Sequence, residues 1–191
     1  MEQHFTTTMS ESEVNFLRKN LKKSKNYLEF GSGYSTLLAA KLGVKNITTV
    51  ETDSQYLNQI SSMLDRSRSN INLIHADIGP TGEWGNPLNF EHKEKWINYA
   101  ISIKQVLDPD LILIDGRFRV ATFATMCLLF SDTRILFDDF IDRTHYHEIV
   151  STFTIQKTFG RIAIFQIPKK ISSQKKMELV RLRERYIFDF R

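Results

Sequence analysis

The fold is decided by Tyr27-Leu28-Glu29-Phe30-Gly31-Ser32-Gly33-Tyr34-Ser35-Thr36, in which an apolar strand runs into two glycines and then into a helix-forming segment. Glycine lets the backbone turn tightly there and approach a ligand without a Cβ in the way. The next apolar run, Ile47-Thr48-Thr49-Val50, ends at the acidic Glu51. In a doubly wound sheet, an acid at that strand tip can accept hydrogen bonds from the hydroxyls of a ribose. The stretch therefore predicts a site for an adenosine-containing cofactor.

Apolar strands and amphipathic helices alternate along the rest of the chain. The segment 110–115 has a continuous apolar run, which suits a central parallel strand buried on both faces. A long loop punctuated by glycine and proline covers 78–93, and two β-rich runs at 153–159 and 161–167 predict an antiparallel hairpin at a sheet edge. The pattern predicts an open α/β sheet. The other predicted strands are 26–30, 46–51, 70–76 and 133–137, and the predicted helices are 10–21, 35–42, 54–64, 94–106, 119–130, 143–151 and a tail helix within 169–191.

Length and composition indicate one globular domain over residues 1–191. The chain is 41% hydrophobic and 25% charged, which excludes general disorder. The single cysteine, Cys127, excludes an internal disulfide and a thiolate zinc cluster. No apolar segment reaches the ~18 residues that a membrane span needs. The chain also begins without a signal pattern, so we expect a cytoplasmic protein with no membrane partner.

The glycine turn fits two kinds of cofactor. A dinucleotide-binding turn requires Gly-x-Gly-x-x-Gly, because the third glycine lets the helix pack closely against the strand. Here the third position is Thr36, so the pattern expected of an NAD-linked oxidoreductase is broken. That enzyme class stays an alternative.

The segment Leu28-Glu29-Phe30-Gly31-Ser32-Gly33-Tyr34-Ser35 resembles the first motif of class I S-adenosylmethionine-dependent methyltransferases, in which an acid precedes a Gly-x-Gly turn. The resemblance extends to Glu51 at the second strand tip, to Asp77 after the third strand and to the terminal hairpin. It covers the chain from Asn26 to Ile167. It implies a Rossmann-like, doubly wound, mostly parallel seven-stranded sheet with helices on both faces.

The resemblance also implies which residues bind the cofactor, S-adenosylmethionine. The turn Gly31-Ser32-Gly33 would pass under its methionine and ribose part, and Glu51 would bind the ribose hydroxyls. Asp77 would face the adenine amino group, unless it only caps the loop or helix that follows. Glu29 would belong to an acidic setting that favours the cationic sulfonium, unless it only hydrogen-bonds the turn.

Three acids follow the fourth and fifth strands, at the edge where open α/β sheets bind ligands. Adjacent strands are ~4.8 Å apart, so Asp115, Asp138 and Asp139 can converge if these two strands are neighbours. Asp115 and Asp138 are candidate catalytic groups, because methyl transfer to a hydroxyl requires removal of its proton. Three carboxylates at one site repel one another unless a proton or a cation neutralises them. Oxygen ligands of this kind suit Mg²⁺, which could lower the pKa of a substrate hydroxyl.

The segments Ile114-Asp115-Gly116 and Phe137-Asp138-Asp139-Phe140 are similar to those of the macrocin-type sugar O-methyltransferases, whose acids bind Mg²⁺. The resemblance implies a metal site formed by Asp115, Asp138 and Asp139. The chain departs from that group at Arg117, where the group has an acid. In the alternative interpretation, Asp138 caps the following helix, and Arg117 or Arg119 pairs with the acids.

Three further features each allow two interpretations. His145 is either a general base or an ordinary histidine. Trp84, in the long loop, either covers the cofactor or only packs the loop. Arg117, Arg119 and Arg143 either bind an anionic substrate or pair with neighbouring acids.

We expect a methyltransferase that acts on an oxygen of a small-molecule acceptor. Methyltransferases of base amino groups carry Asn/Asp-Pro-Pro-aromatic after the fourth strand, whereas this chain has Asp115-Gly116-Arg117-Phe118, which argues against a nucleic-acid partner. A catalytically silent methyltransferase-like binding module is the alternative from another class, since little chain remains outside the core to build a substrate pocket. The sequence leaves self-association into a homo-oligomer open.

Overall fold

A seven-stranded mixed sheet forms the centre of the structure, a computed structural model that describes residues 7–103 and 108–190. The strands are β1 (Asn26–Phe30), β2 (Asn46–Glu51), β3 (Asn70–His75), β4 (Leu111–Ile114), β5 (Arg134–Phe137), β6 (Lys157–Phe159) and β7 (Ile162–Gln166). The α-helices of the described residues are α1 (Glu11–Leu21), α2 (Tyr34–Lys41), α3 (Ser54–Met63), α4 (Ile97–Ile101), α5 (Arg119–Leu129) and α6 (Ser173–Tyr186).

The strand order is β3-β2-β1-β4-β5-β7-β6. The first five strands pair in parallel, and β7 pairs antiparallel with both β5 and β6. The order reverses between β1 and β4, which is where doubly wound sheets bind ligands. The predicted fold class, with its closing antiparallel hairpin, is confirmed.

Two apolar cores lie on the two faces of this sheet. In β4, Ile112 and Ile114 belong to one core and Leu111 and Leu113 to the other. Successive side chains of a strand point to opposite faces, so this strand is buried on both sides, as its apolar run predicts. The core on the Ile112 side includes residues of α5 and α6, and the other core includes residues of α1 and α2.

The carboxyl ends of the central strands lie in register. Phe30 at the end of β1 pairs with Val50 of β2 and Ile114 of β4, and Ile114 pairs with Phe137 of β5. The residues that directly follow these strands therefore lie along one edge of the sheet. They include the glycine turn and the aspartates Asp115, Asp138 and Asp139.

Three predicted elements differ from the structure. The helix predicted at 94–106 is a 3-10 turn, Lys93–Lys95, followed by the short α4, and its predicted last residues, 104–106, lie outside the described residues. The helix predicted at 143–151 is a 3-10 helix, Thr144–Ser151, with Tyr146 and Ile149 buried; three residues per turn bring these two to one face. The strand predicted at 153–159 shortens to β6. No helix in the described ranges is both long and apolar enough to cross a membrane.

Candidate active site

A cavity of about 640 Å³ opens at the carboxyl edge of the central strands. Its walls come from the glycine turn after β1, the tip of β2, the loop after β4 and the segment after β5. Residues 7–9 and the tip of the long loop at 84–86 also line it. A cavity of this size suits a small molecule or a cofactor.

The turn after β1 packs against the backbone after β4. Gly31 has φ +94°, and a Cβ at this position would lie 2.8 Å from the carbonyl carbon and oxygen of Asp115. The Gly31 N–H donates to the Val50 carbonyl at 2.9 Å, which continues the pairing with β2. Gly33 precedes α2, and a Cβ there would meet only the Tyr56 hydroxyl, at 3.4 Å. Glycine at 31 is therefore required by the fold, whereas Gly33 borders open space in the cavity.

Glu51, at the tip of β2, is held by backbone donors and lines the cavity. Its Oε2 accepts from the Ser32 N–H at 3.0 Å, and its Oε1 accepts from the N–H groups of Thr52 and Asp53 at 2.7 and 3.1 Å. Burial raises the pKa of this carboxyl, and the backbone hydrogen bonds oppose the rise. Oε2 has one protein donor among the described residues, so it retains capacity to accept from a ligand hydroxyl.

Glu29 lies behind the turn and outside the cavity lining. Its side chain is fully buried and accepts hydrogen bonds from the hydroxyls of Tyr27, Ser35 and Thr36. Burial raises its pKa to about 7, and the hydroxyl donors oppose this rise. The contacts favour the interpretation in which Glu29 hydrogen-bonds the turn and does not contact the cofactor.

Of the two residues predicted to lie near the adenine or to cover the cofactor, Trp84 lines the cavity and Asp77 does not. Asp77 is exposed outside the cavity lining, where it pairs with Lys95 at 2.8 Å and accepts from the Gly79 N–H at 2.9 Å. Trp84 does line the cavity, with its side chain 79% exposed and its backbone at φ +60°. The next residue, Gly85, accepts a hydrogen bond from the Thr52 hydroxyl at 2.9 Å, which fixes this loop beside Glu51.

The structure brings the three predicted acids together. Carboxylate oxygens of Asp115, Asp138 and Asp139 all lie within 4.8 Å of one another, because β4 and β5 are neighbours. Asp115 and Asp139 line the cavity, but Asp138 is 1% exposed and lies beneath it. Asp138 is therefore poorly placed for its predicted catalytic role, which requires contact with the acceptor.

Arginine side chains neutralise these acids. Arg119 is 3% exposed and lies 3.1 Å from an Asp115 oxygen and 3.2 Å from an Asp139 oxygen. Arg161, in the turn between β6 and β7, donates from Nε and Nη2 to the two oxygens of Asp138. Arg143 pairs with Asp139 at 2.9 Å. The alternative in which Arg119 pairs with the acids matches these contacts.

These pairs bear on the predicted Mg²⁺ site. A metal at Asp115, Asp138 and Asp139 would need an oxygen from each residue, and each of these carboxylates already has at least one oxygen in an ion pair with a guanidinium group. A divalent cation placed among three arginines would also be repelled by their charge. The donor set therefore does not fit a metal ion, and the arginines supply the neutralisation that the sequence interpretation assigned to Mg²⁺.

The remaining predicted catalytic residue, His145, lies in the 3-10 helix Thr144–Ser151 and outside the cavity lining. Its ring packs at 4.2 Å, between centroids, against the ring of Tyr146. Asp115 and the glycine turn line the cavity and His145 does not, which favours the interpretation as an ordinary histidine.

Several lining residues were missed by the sequence interpretation. They include Thr8, Asp53, Tyr56, Asn86, Tyr99 and Arg161. Arg161 follows the glycine between two β-rich runs, and only the pairing of β5 with β7 brings it to Asp138. Tyr99 is buried, and its hydroxyl accepts from the Arg117 N–H at 3.3 Å; an apolar helix face in the sequence gives no sign of this contact.

Comparison with known proteins points to one group of enzymes. No protein-family model and no curated protein sequence matches the chain. Among solved structures, a methyltransferase-like protein from Silicibacter pomeroyi DSS-3 is 30% identical, with a TM-score of 0.83 over 94% of this chain and 97% of that one.

Two more distant structures share the fold alone. The C-terminal domain of precorrin-6Y C5,15-methyltransferase from Rhodobacter capsulatus is 12% identical, with a TM-score of 0.55 over 86% of this chain and 94% of that one. MycE methyltransferase of the mycinamycin biosynthetic pathway, in complex with Mg and SAH, is 10% identical, with a TM-score of 0.50 over 88% of this chain and 54% of that one. The strand order, the glycine turn and the 30% identical methyltransferase-like protein all indicate the same family. The chain belongs to the class I S-adenosylmethionine-dependent methyltransferases.

Proposed function

We propose that this protein binds S-adenosylmethionine and transfers its methyl group to an oxygen of a small molecule. The observation that carries the proposal is that Glu51, at the tip of β2, and Asp115, at the tip of β4, line the same cavity. One acid would bind the ribose of the cofactor, and the other would take the proton of the acceptor hydroxyl. Residues 1–191 are proposed to act as one domain, which the single sheet of the described residues supports.

The cavity residues suit this cofactor. Its sulfonium is cationic and carries no phosphate, so acidic residues nearby favour its binding. Glu51 Oε2 would accept from a ribose hydroxyl, while Gly31-Ser32-Gly33 would let the backbone approach the ligand closely. Trp84 would cover part of the bound molecule. When bound, the cofactor supplies an electrophilic methyl group.

Asp115 is the candidate general base. Its side chain is 31% exposed to the cavity, so an acceptor hydroxyl can reach it. Burial and the neighbouring carboxylates of Asp138 and Asp139 raise its pKa, whereas the Arg119 guanidinium opposes the rise. A carboxylate with a raised pKa is a stronger base towards a hydroxyl. Asp115 would accept the hydroxyl proton as the acceptor oxygen forms its bond to the methyl carbon, while the bond from that carbon to sulfur breaks and the demethylated cofactor leaves as a neutral thioether.

We further propose that the reaction requires no divalent metal. Three carboxylates face three guanidinium groups, so the site has its neutralising charge without a metal ion. In this proposal Arg119 orients Asp115 by the ion pair and by a second hydrogen bond to the Asp115 carbonyl at 3.2 Å.

Isothermal titration with S-adenosylmethionine and with its demethylated product tests cofactor binding. We expect saturable binding, lost or weakened at least tenfold in Glu51→Ala, and unchanged in Glu83→Ala, an exposed acid of the neighbouring loop. Preferential binding of NAD would contradict the proposal and favour an oxidoreductase.

A methylation assay with a panel of hydroxylated metabolites, purified protein and RNA tests the acceptor class. We expect transfer to a hydroxylated metabolite, strongly reduced in Asp115→Asn with cofactor affinity retained. Methylation confined to the RNA or the protein would refute the small-molecule assignment. Cofactor binding without transfer to any acceptor class would support a silent binding module.

A further inference from the structure

Arg117 differs from the other arginines of the cavity. Arg119, Arg143 and Arg161 each pair with an aspartate. Arg117 makes no ion pair with a described residue; its Nη1 donates to the side-chain oxygen of Asn86 at 2.8 Å and to the Phe190 carbonyl at 3.5 Å. The sequence left open whether Arg117, Arg119 and Arg143 pair with acids or bind an anionic substrate. Arg119 and Arg143 pair with acids, and Arg117 does not pair with a described acid.

The guanidinium of Arg117 is half-buried, and part of its hydrogen-bonding capacity is unused. Its Nε is buried without an acceptor in the described part of the chain. Nε and Nη2 form one edge of the guanidinium fork, and the described contacts engage only Nη1. Burial and the nearby Arg119 lower the pKa of Arg117, in the direction expected for a cation that lacks a counter-charge.

The charges around Arg117 leave it uncompensated. Asp115, Asp138 and Asp139 are balanced by the three arginines that pair with them. Glu51 and Asp53 also line the cavity, but their carboxylates accept from backbone N–H groups of the turn and of α3. The segments after β4 and β5 and the turn before β7 therefore bring four arginines to three aspartates, and Arg117 is the one of these four that pairs with none of them.

The position of Arg117 is fixed by the backbone. Its N–H donates to the buried Tyr99 hydroxyl at 3.3 Å. The preceding residue, Gly116, packs against the glycine turn, since a Cβ at Gly116 would lie 2.9 Å from the Gly31 nitrogen. The cation is thus held two residues from Asp115, at the point where the strand order reverses and next to the proposed cofactor.

We propose that Arg117 binds an anionic group of the methyl acceptor, a carboxylate or a phosphate, through the free edge of its guanidinium. Arginine suits this role because its planar fork forms two parallel hydrogen bonds with such groups. The proposal rests on the proposed methyltransferase function, because it names the substrate class of the same site. It predicts that acceptors carry a negative charge near the hydroxyl that is methylated.

Isothermal titration of the protein with inorganic phosphate and with malonate, at low ionic strength and with the demethylated cofactor at saturation, tests this proposal. We expect saturable binding of at least one anion by the wild type. Arg117→Gln should weaken anion binding at least tenfold. Arg117→Lys keeps the charge and loses the planar guanidinium, so its affinity for the anion should lie between those of the wild type and Arg117→Gln. Arg134→Gln, an exposed arginine at the opposite end of β5, is the control and should bind as the wild type does.

The outcomes separate this proposal from the proposed function. Equal anion binding by Arg117→Gln and the wild type, or no binding by the wild type, would overturn it. Binding that the demethylated cofactor abolishes would also overturn it, since Arg117 would then hold the carboxylate of the cofactor and not the acceptor. If the wild type binds no cofactor, the proposed function fails, while the titration without cofactor still reports on Arg117. Circular dichroism of each variant checks that it is folded.

Discussion

Arg161 holds both oxygens of Asp138, with Nε 3.0 Å from Oδ1 and Nη2 2.8 Å from Oδ2. Asp138 follows β5, and Arg161 lies in the turn before β7; the antiparallel pairing of these strands brings the two residues together. This is the bidentate geometry that makes arginine–carboxylate pairs strong and specific. The closing hairpin of the fold thus also supplies a counter-charge to the acids of the candidate site.

The first prediction concerns metal ions. Millimolar Mg²⁺ should leave the midpoint of thermal unfolding unchanged, because the carboxylate oxygens are engaged by arginines. A cation present at a hundredfold excess over its dissociation constant would stabilise the native state by about 2.7 kcal/mol, which such a measurement resolves. Methyl transfer should likewise survive treatment with EDTA. A Mg²⁺-dependent rise in the midpoint that Asp139→Asn removes would contradict this prediction.

The second prediction compares two arginines that pair with Asp139. Arg119→Gln should lower the free energy of unfolding by about 3–5 kcal/mol, because it removes the 3% exposed guanidinium that pairs with Asp115 and with Asp139. Arg143→Gln should cost at most about 1 kcal/mol, since its side chain is 38% exposed and water screens the pair. Urea denaturation of both variants measures the difference. Equal losses would mean that burial of Arg119 does not set the strength of the network.

Local sequence patterns were sufficient to predict the fold and one part of the candidate site. The strand before Gly31 and the acid at Glu51 are encoded by short runs of residues, because apolar runs, glycines and strand tips are adjacent in the chain. Strand bounds at β1 and β2 agree with the prediction for the same reason. The acids after β4 and β5 could be placed together because neighbouring parallel strands end at one edge.

Long-range contacts account for what the sequence could not predict. Asp77 forms an ion pair with Lys95, which lies 18 residues further along the chain. Asp138 faces Arg161, 23 residues away, through a strand pairing that no local pattern specifies. Which arginine stays without an acid depends on side-chain directions within the loop after β4. Such choices are made by tertiary packing and not by local propensity.

The third prediction contrasts the two glycines of the turn. Gly31→Ala should destabilise the protein by about 2–4 kcal/mol, because its φ of +94° is strained for alanine and its Cβ would overlap the backbone at Asp115. Gly33→Ala should cost less than about 1 kcal/mol, since its φ of 168° is extended and its Cβ meets only the Tyr56 hydroxyl.

Gly33→Ala, the less destabilised of the two variants, should nevertheless lose affinity for the cofactor. The added methyl of Gly33→Ala borders the cavity and should weaken binding of the demethylated cofactor by about tenfold, or 1.4 kcal/mol. Thermal unfolding and isothermal titration measure the two effects separately. Full affinity in Gly33→Ala would argue that the cofactor does not lie over this turn.

The fourth prediction is a pH dependence of stability from Glu29. Its pKa is raised by burial from 4.5 to about 7 in the folded protein, so the folded state retains a proton that the unfolded chain releases. The resulting stabilisation is full below pH 4.5 and is lost as the pH rises through about 7, and it amounts to up to about 3 kcal/mol.

Glu29→Gln isolates this contribution, because glutamine keeps the shape and does not titrate. Between pH 5 and 8, the wild type should lose free energy of unfolding relative to this variant. The hydroxyls of Tyr27, Ser35 and Thr36 can accept from the amide of the variant by rotating their hydrogens. Parallel stability curves for the two proteins would show that Glu29 is ionised throughout this range.

The fifth prediction uses the two tryptophans of the chain as probes of the cofactor loop. Trp84 is 79% exposed and lines the cavity, whereas Trp96 is 1% exposed in the core, where its Nε1 donates to the Ile78 carbonyl at 3.2 Å. If Trp84 covers the cofactor, binding removes water from its ring and shifts its emission to shorter wavelength. Trp96 is already desolvated and should contribute no shift.

Titration of the wild type with the demethylated cofactor should therefore give a saturable blue shift, and Trp84→Phe should lose it. The same variant should still bind in calorimetry with only a few-fold lower affinity, because phenylalanine keeps much of the apolar contact. Gly85 fixes the loop to Thr52 whether or not Trp84 is present, so the variant should leave Glu51 in place. A shift that persists in Trp84→Phe would mean that Trp84 only packs the loop, and the signal would then report a rearrangement around Trp96.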